Sequence, residues 1–189
     1  MPVDRLKNAK RRKRFEQIAL VHVGAAYNLA RRLTRNERDA EDLVQESFLR
    51  AYQAFERFQG EHSRAWLLTI VRNTYYTWRR LHKLHDLDES FDEQSHASAL
   101  ACSPHAESRS GDNPERLVLL QADLHLINQG VDALPLPLRE VLVLREFEGL
   151  SYREIAEIID VPKGTVMSRL SRARKTLQRH LASHLKPSI

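Results

Sequence analysis

Only one cysteine, Cys102, occurs in the 189 residues, so no internal disulfide forms and a reducing compartment is expected. Glycine is scarce at 6, which disfavours Gly-rich nucleotide-binding folds and chains of many small strands. No run approaches the ~18–20 apolar residues of a membrane-spanning helix. The apolar stretch 18–27 follows a basic arm (Lys7, Lys10, Arg11, Arg12, Lys13, Arg14). It is broken by His22 and lacks a convincing small-residue cleavage site, so it does not read as a secretory leader, and a cytoplasmic location is expected. Also missing are a P-loop, a nucleophile elbow, a closed zinc spacing and a convergent carboxylate pair. Neither catalysis nor a cofactor is expected.

What is present is charge, unevenly spread. The net charge is +5 and the isoelectric point about 9.6. Residues 1–80 carry net +8, residues 81–115 net −6 and residues 116–189 net +3. Two basic segments thus flank an acidic one, and the 23 arginines outnumber the 7 lysines. The guanidinium fork suits phosphates and guanine edges, so a nucleic-acid partner is permitted, though not demanded.

The pattern divides the chain into a basic extension (1–14), a helical module (15–81), a linker (82–113) and a second module (114–189). The linker is rich in Ser, Asp, Glu and His with no sustained apolar period, and cannot bury enough surface to offset ordering entropy. Its His82, His85, His96, His105 and Cys102 match no closed zinc pattern. Apolar residues at helical spacing predict helices over 14–33, 39–58, 63–81, 114–133 and 134–148, the last closed by Gly149. The expected fold is all-α, with two small helical domains joined by a flexible acidic linker.

Ser151 and Glu154 form a capping box that opens a short helix ending near Asp160. A tight break at 161–164 follows, and a second helix is expected over 165–181. Its Val166, Leu170, Ala173, Leu177 and Leu181 make one apolar stripe. Two helices so joined form a helix-turn-helix, the second entering the major groove N-terminus first. Met167, Ser168, Ser171 and Arg172 then face base edges, while Arg169, Arg174, Lys175 and Arg179 suit phosphates. In the first module, Asp39, Glu41, Asp42, Gln45 and Glu46 crowd one helix face. Acid repels DNA, so that face is either a protein-docking surface or simply solvated. From Phe48 to Trp78 aromatics are dense, and Arg64, Arg72, Asn73, Tyr76, Trp78, Arg79 and Arg80 intermix on one helix, a combination that suits unpaired bases. Trp66, in the apolar stripe, is expected in the core.

These segments, DAEDLVQESFLRAY (39–52), RFQGEHSRAWLLTIVRNTYYTWRR (57–80), NPERL (113–117) and the stretch 134–177, resemble the extracytoplasmic-function (ECF) sigma factors. These are compact bacterial transcription initiation factors with regions 2 and 4 only. The resemblance covers region 2 over about 15–81 and region 4 over about 116–183. It implies that Asp39, Asp42, Gln45 and Glu46 dock on the β′ clamp helices of RNA polymerase core. It implies minus-ten recognition and melting by Phe58, Gln59, His62, Arg64, Arg72, Asn73, Tyr76 and Arg79, with Tyr75 nearby. It assigns the minus-thirty-five duplex to Thr165, Met167, Ser168, Arg169, Ser171, Arg172, Arg174 and Lys175, while the apolar side of region 4 grips the β flap. Met167 cannot hydrogen-bond a base edge but can touch a thymine methyl. An anti-sigma factor, often membrane-bound and able to hold its target at the inner membrane, is a further implied partner. The arm 1–14 lies outside the resemblance and reads as a soluble tail or a phosphate-binding extension. The alternative is a stand-alone helix-turn-helix regulator, which does not need the acidic helix.

Overall fold

The computed structural model describes residues 2–88 and 114–184, and every regular element among them is helical. The first module holds α1 (Pro2–Ala19), α2 (Val23–Thr34), α3 (Glu37–Ala54) and α4 (Ser63–Asp88). The second holds α5 (Pro114–Ala133), α6 (Leu136–Leu142), α7 (Tyr152–Ile159) and α8 (Lys163–His184).

Three helices build the first core. Ala26, Leu29, Ala30 and Leu33 of α2 face Ala40, Leu43, Ser47 and Ala51 of α3, and Leu67, Leu68 and Val71 of α4 close the third side. The alanines carry the inward positions without bulk, so the helix backbones approach closely. Ser47 enters this core because its hydroxyl donates to the Leu43 carbonyl at 2.6 Å. The helix expected over 14–33 is interrupted by a tighter turn at Leu20–His22. Its N-terminal part begins much earlier, at Pro2, so the basic arm is helix rather than tail over that span. Arg11 fixes it there, reaching Glu56 and the Tyr52 carbonyl at 2.8 and 2.7 Å with its guanidinium over the Tyr52 ring.

The second module repeats the logic around Val141, Leu142, Val143, Leu144, Ile155, Ile158, Ile159, Val166, Leu170 and Ala173. A widened π-helical turn at Val143–Phe147 follows α6. Gly149 closes it at φ +64°, a conformation that costs glycine nothing. The capping box forms as expected: the Glu154 amide donates to Ser151 Oγ at 3.2 Å and the Ser151 amide to Glu154 Oε2 at 2.8 Å. Asp160, left-handed at φ 53°, ends α7. The break is shorter than 161–164, because Pro162 accepts from the Thr165 amide at 2.8 Å and Gly164 is already helical.

The modules do not stand apart. α4 packs on α7 and α2 on α6. Three charged side chains of the second module, Arg139, Glu140 and Glu148, are almost fully buried.

Candidate nucleic-acid interface

The α8 surface is the more open of the two basic helices. Val166, Leu170 and Ala173 turn inward, which leaves Met167 (51% exposed), Ser168, Ser171, Arg172 and Lys175 facing solvent. Thr165 and Arg169 are half-buried, and the Ser168 hydroxyl donates to the Thr165 carbonyl at 3.0 Å. Arg174 is held by Glu146 at 2.6 Å, and that hydrogen bond raises its pKa. All eight positions expected to face the duplex therefore fall in one run of α8.

The positions expected at melted DNA separate into two groups. Phe58, half-buried, follows the turn after α3; its ring lies 4.5 Å from that of Trp66 and stacks on Phe55 at 6.1 Å. Gly60 folds the loop over this ring so closely that a Cβ there would sit 2.8 Å from it. Gln59, His62 and Asn73 are exposed. Arg72, Tyr76 and Arg64 are instead engaged by the second module. Arg72 Nε donates to Glu140 Oε1 at 2.6 Å, the Tyr76 hydroxyl lies 3.4 Å from Glu140 Oε2, and the Arg72 guanidinium covers the Tyr76 ring at 4.7 Å. Arg64 pairs with Glu148, which also accepts from Asn28 at 3.4 Å. Arg79 is half-buried, and Tyr75 belongs to the core at 6% exposure. Burial pushes the Glu140 carboxyl above its ordinary value against the opposing pull of Arg72, and raises Tyr76 as well.

Sequence reasoning missed Glu140 and Glu148. The available signal was a carboxylate set in an apolar run, since Glu140 precedes Val141, Leu142, Val143 and Leu144. Arg139 was missed too. It donates to the carbonyls of Arg32 at 2.7 Å and Leu134 at 3.1 Å, near the C-terminal ends of α2 and α5, where helix dipoles favour a cation. Burial, with Arg35 nearby, pushes its pKa down to about 10, so it stays protonated at neutral pH.

The acidic face lies on α3. The side chain of Asn36 accepts from the Asp39 amide at 3.1 Å to start the helix. Glu41, Asp42, Gln45 and Glu46 are exposed, Asp39 is half-buried, and Glu46 pairs with Arg50 at 2.7 Å. Beside this face runs an apolar groove of about 740 Å³ between α1, α2 and α3, lined mainly by Phe15, Leu20, Val23, Val44, Phe48 and Leu49. Among the described residues no helix is long and apolar enough to cross a membrane. Nor, among them, is any group of three His, Cys, Asp or Glu side chains placed to hold a metal. His96, Cys102 and His105 lie outside the described residues.

Comparison with known proteins matches the chain to two families: Sigma-70 region 2 over residues 20–84, and Sigma-70 region 4 over residues 124–177. The RNA polymerase sigma-H factor of Pseudomonas aeruginosa is 32% identical over 95% of this chain and 91% of its own length. The ECF RNA polymerase sigma-E factor of Haemophilus influenzae is 36% identical over 79% of this chain and 77% of its own. A longer relative, the ECF RNA polymerase sigma factor SigE of Mycolicibacterium smegmatis, is 34% identical over 90% of this chain, which spans 62% of it. Among solved structures, the sigma factor RpoE from Bartonella quintana, crystallised with the anti-sigma factor NepR, superposes with a TM-score of 0.70 at 31% identity, over 90% of this chain and 98% of that one. Region 2 followed by region 4 defines a sigma factor of the sigma-70 type. The chain belongs to the ECF sigma factors, the transcription initiation factors that direct RNA polymerase to promoters. The relatives support this reading over a stand-alone helix-turn-helix regulator.

Proposed function

We propose that this sigma factor docks on the β′ clamp helices of core polymerase through Asp39, Asp42, Gln45 and Glu46 of α3. The observation that carries this is the exposure of the acidic face beside the apolar groove, a surface that repels DNA and suits a protein. Phe58, Gln59, His62, Asn73 and Arg79, with Arg64, Arg72 and Tyr76, take the minus-ten strand as it melts. Thr165, Met167, Ser168, Arg169, Ser171, Arg172, Arg174 and Lys175 read the minus-thirty-five duplex, and the apolar side of region 4 meets the β flap. The chain works in the bacterial cytoplasm without chemistry of its own and starts a stress or envelope-signal regulon. The Bartonella quintana protein pairs with an anti-sigma factor, which supports the same class of regulator here.

The test is run-off transcription with bacterial core enzyme on a genomic fragment library. Wild-type chain should start transcripts at discrete promoters, and charge reversal of Asp39 and Asp42 together should abolish core binding while leaving duplex binding by region 4 intact. A library without a single stimulated fragment would refute the proposal.

A further inference from the structure

The match to Sigma-70 region 2 begins at residue 20, and α1 lies before it. Residues 1–14 hold seven Lys and Arg against a single acid, Asp4. The structure sorts these cations. Arg11 is engaged by Glu56 and the Tyr52 carbonyl, and Arg12 by Glu16 at 2.8 Å. Lys10, Lys13 and Arg14 are exposed and meet no carboxylate among the described residues. At 100° per residue they share one face with Gln17, turned away from the buried Phe15 and Ala19. Like charges three and four residues apart destabilise a helix, so this face contributes nothing to the fold by itself.

Its position points to a ligand. The Arg14 guanidinium lies 5.6 Å over the Phe55 ring, and Phe55 stacks on Phe58 at 6.1 Å. Arg14 is therefore two ring contacts from the side chain assigned to the captured base, a span of about three or four nucleotides at ~3.4 Å each. Arg57, exposed and likewise without a carboxylate among the described residues, ends the short turn between Phe55 and Phe58. The positions assigned to the melted strand run from Phe58 along α4 to Arg79, so Phe58 is the last of them. A strand continuing past that end comes to Arg57 and Arg14. The face is also unlike a protein-docking surface, which needs an apolar centre. No large apolar side chain of residues 8–19 is exposed. Cations alone suffice for backbone phosphates.

We propose that α1 clamps the phosphates of the melted strand just beyond the base captured at Phe58, with Lys10, Lys13, Arg14 and Arg57 as the cations. The proposal rests on the assignment of Phe58 to base capture. The clamp reads no sequence, because its side chains meet phosphate oxygens and not base edges. It adds salt-sensitive affinity for the opened strand and leaves promoter choice to α4 and α8.

The test uses the full chain assembled with core enzyme and fluorescent single strands from a promoter found by run-off transcription. One strand carries the minus-ten element alone; two others extend it by five nucleotides, on the 5′ or the 3′ side. With wild type, one extension should tighten binding. Lys10→Gln, Lys13→Gln and Arg14→Gln together should remove most of that gain. They should also flatten the dependence of log affinity on log salt by about 2, at ~0.7 per phosphate on a single strand. A charge-matched control, Arg38→Gln with Arg153→Gln and Lys163→Gln, removes three exposed cations elsewhere and should keep the gain. Should the loss of Arg14 disturb Phe55, Lys10→Gln with Lys13→Gln should still flatten the slope by about 1.4. The clamp is overturned if neither extension tightens binding, or if the α1 variant and the control lose the gain equally. It is also overturned if the α1 variant keeps the gain but assembles poorly with core, which would make α1 a protein contact. Phe58→Ala on the unextended strand separates the two readings. If it weakens binding while the extensions do nothing, the clamp alone is wrong; if it changes nothing, the assignment of Phe58 fails and the clamp fails with it.

Discussion

Helices α4 and α8 carry similar chemistry in opposite states. Each sets arginines opposite an apolar stripe, and each belongs to a module with net positive charge. On α8, Arg172 and Lys175 face solvent, and the pair formed by Arg174 is itself exposed. On α4, the Arg72 side chain is 18% exposed and paired with a carboxylate 68 residues away, and Arg64 with one 84 residues away. A basic stripe therefore records affinity for phosphate but not availability. Availability is decided by what distant segments bring to it.

The sharpest way to break the comparison is to remove one arginine from each helix. Arg72→Ala leaves Glu140 buried without its cation, a loss on the order of 3–5 kcal/mol to the packed form. Urea unfolding should show a much lower midpoint or an early separate transition as region 4 departs. Arg172→Ala touches no buried partner, so its stability should stay within about 0.5 kcal/mol of wild type. Its cost should appear in minus-thirty-five duplex binding instead, at about 1–3 kcal/mol, with altered preference at one base pair. Equal stability losses for both variants would remove the distinction between the helices. A loss of Arg172 binding energy spread evenly over all sequences would reassign that residue to phosphate contact.

A smaller effect sharpens the difference at the helix starts. α7 begins with the reciprocal Ser151–Glu154 cap and lies between α4 and α8. Ser151→Ala should lower stability by about 1 kcal/mol, read as a shift in urea midpoint. Because α7 packs on both α4 and α8, minus-ten and minus-thirty-five binding should weaken together. Weakening confined to one of them would show that α7 serves a single module.

The all-helical fold and the cap at Ser151 were legible because they rest on local spacing and short-range hydrogen bonds. The stripe of α8 was legible for the same reason, and most of its outward side chains are exposed as the 100° step implies. Closure of the modules was not legible. Arg72 pairs with Glu140 across 68 residues, and nothing in the local pattern around either says that they meet. The turn at Leu20–His22 also escaped, since apolar spacing continues through it and only the backbone tightens. The start of α1 at Pro2 escaped, and the partners that hold Arg11 of that helix, Tyr52 and Glu56, lie 41 and 45 residues away. Tyr75 looked like a neighbour of Arg72 and Tyr76 in sequence, but one residue is 100° of helix, enough to turn it into the core.

The smallest expected effect separates the heads of α4 and α7 by pH. At α4, His22 Nε2 meets Ser63 Oγ at 2.9 Å, tying the joint before α2 to the first residue of that helix. Partial burial, helped by Arg64, holds the His22 pKa below its ordinary 6.5. The folded state then binds fewer protons at His22 than the unfolded state does. Stability is full above pH 6.5 and declines as pH falls from there through the folded value. At α7 the Ser151 hydrogen bonds hold Glu154 below its ordinary 4.5, so that contribution persists above 4.5 and is lost only in stronger acid. Between pH 7.5 and 5.5, then, only the α4 head should weaken. His22→Gln, which keeps a hydrogen-bonding group without the titration, should flatten that part of the profile, while Ser151→Ala should leave its slope unchanged. Urea midpoints of wild type and both variants at the two pH values measure this. An equal gap between wild type and His22→Gln at both pH values would show that the His22–Ser63 contact carries no proton-linked stability.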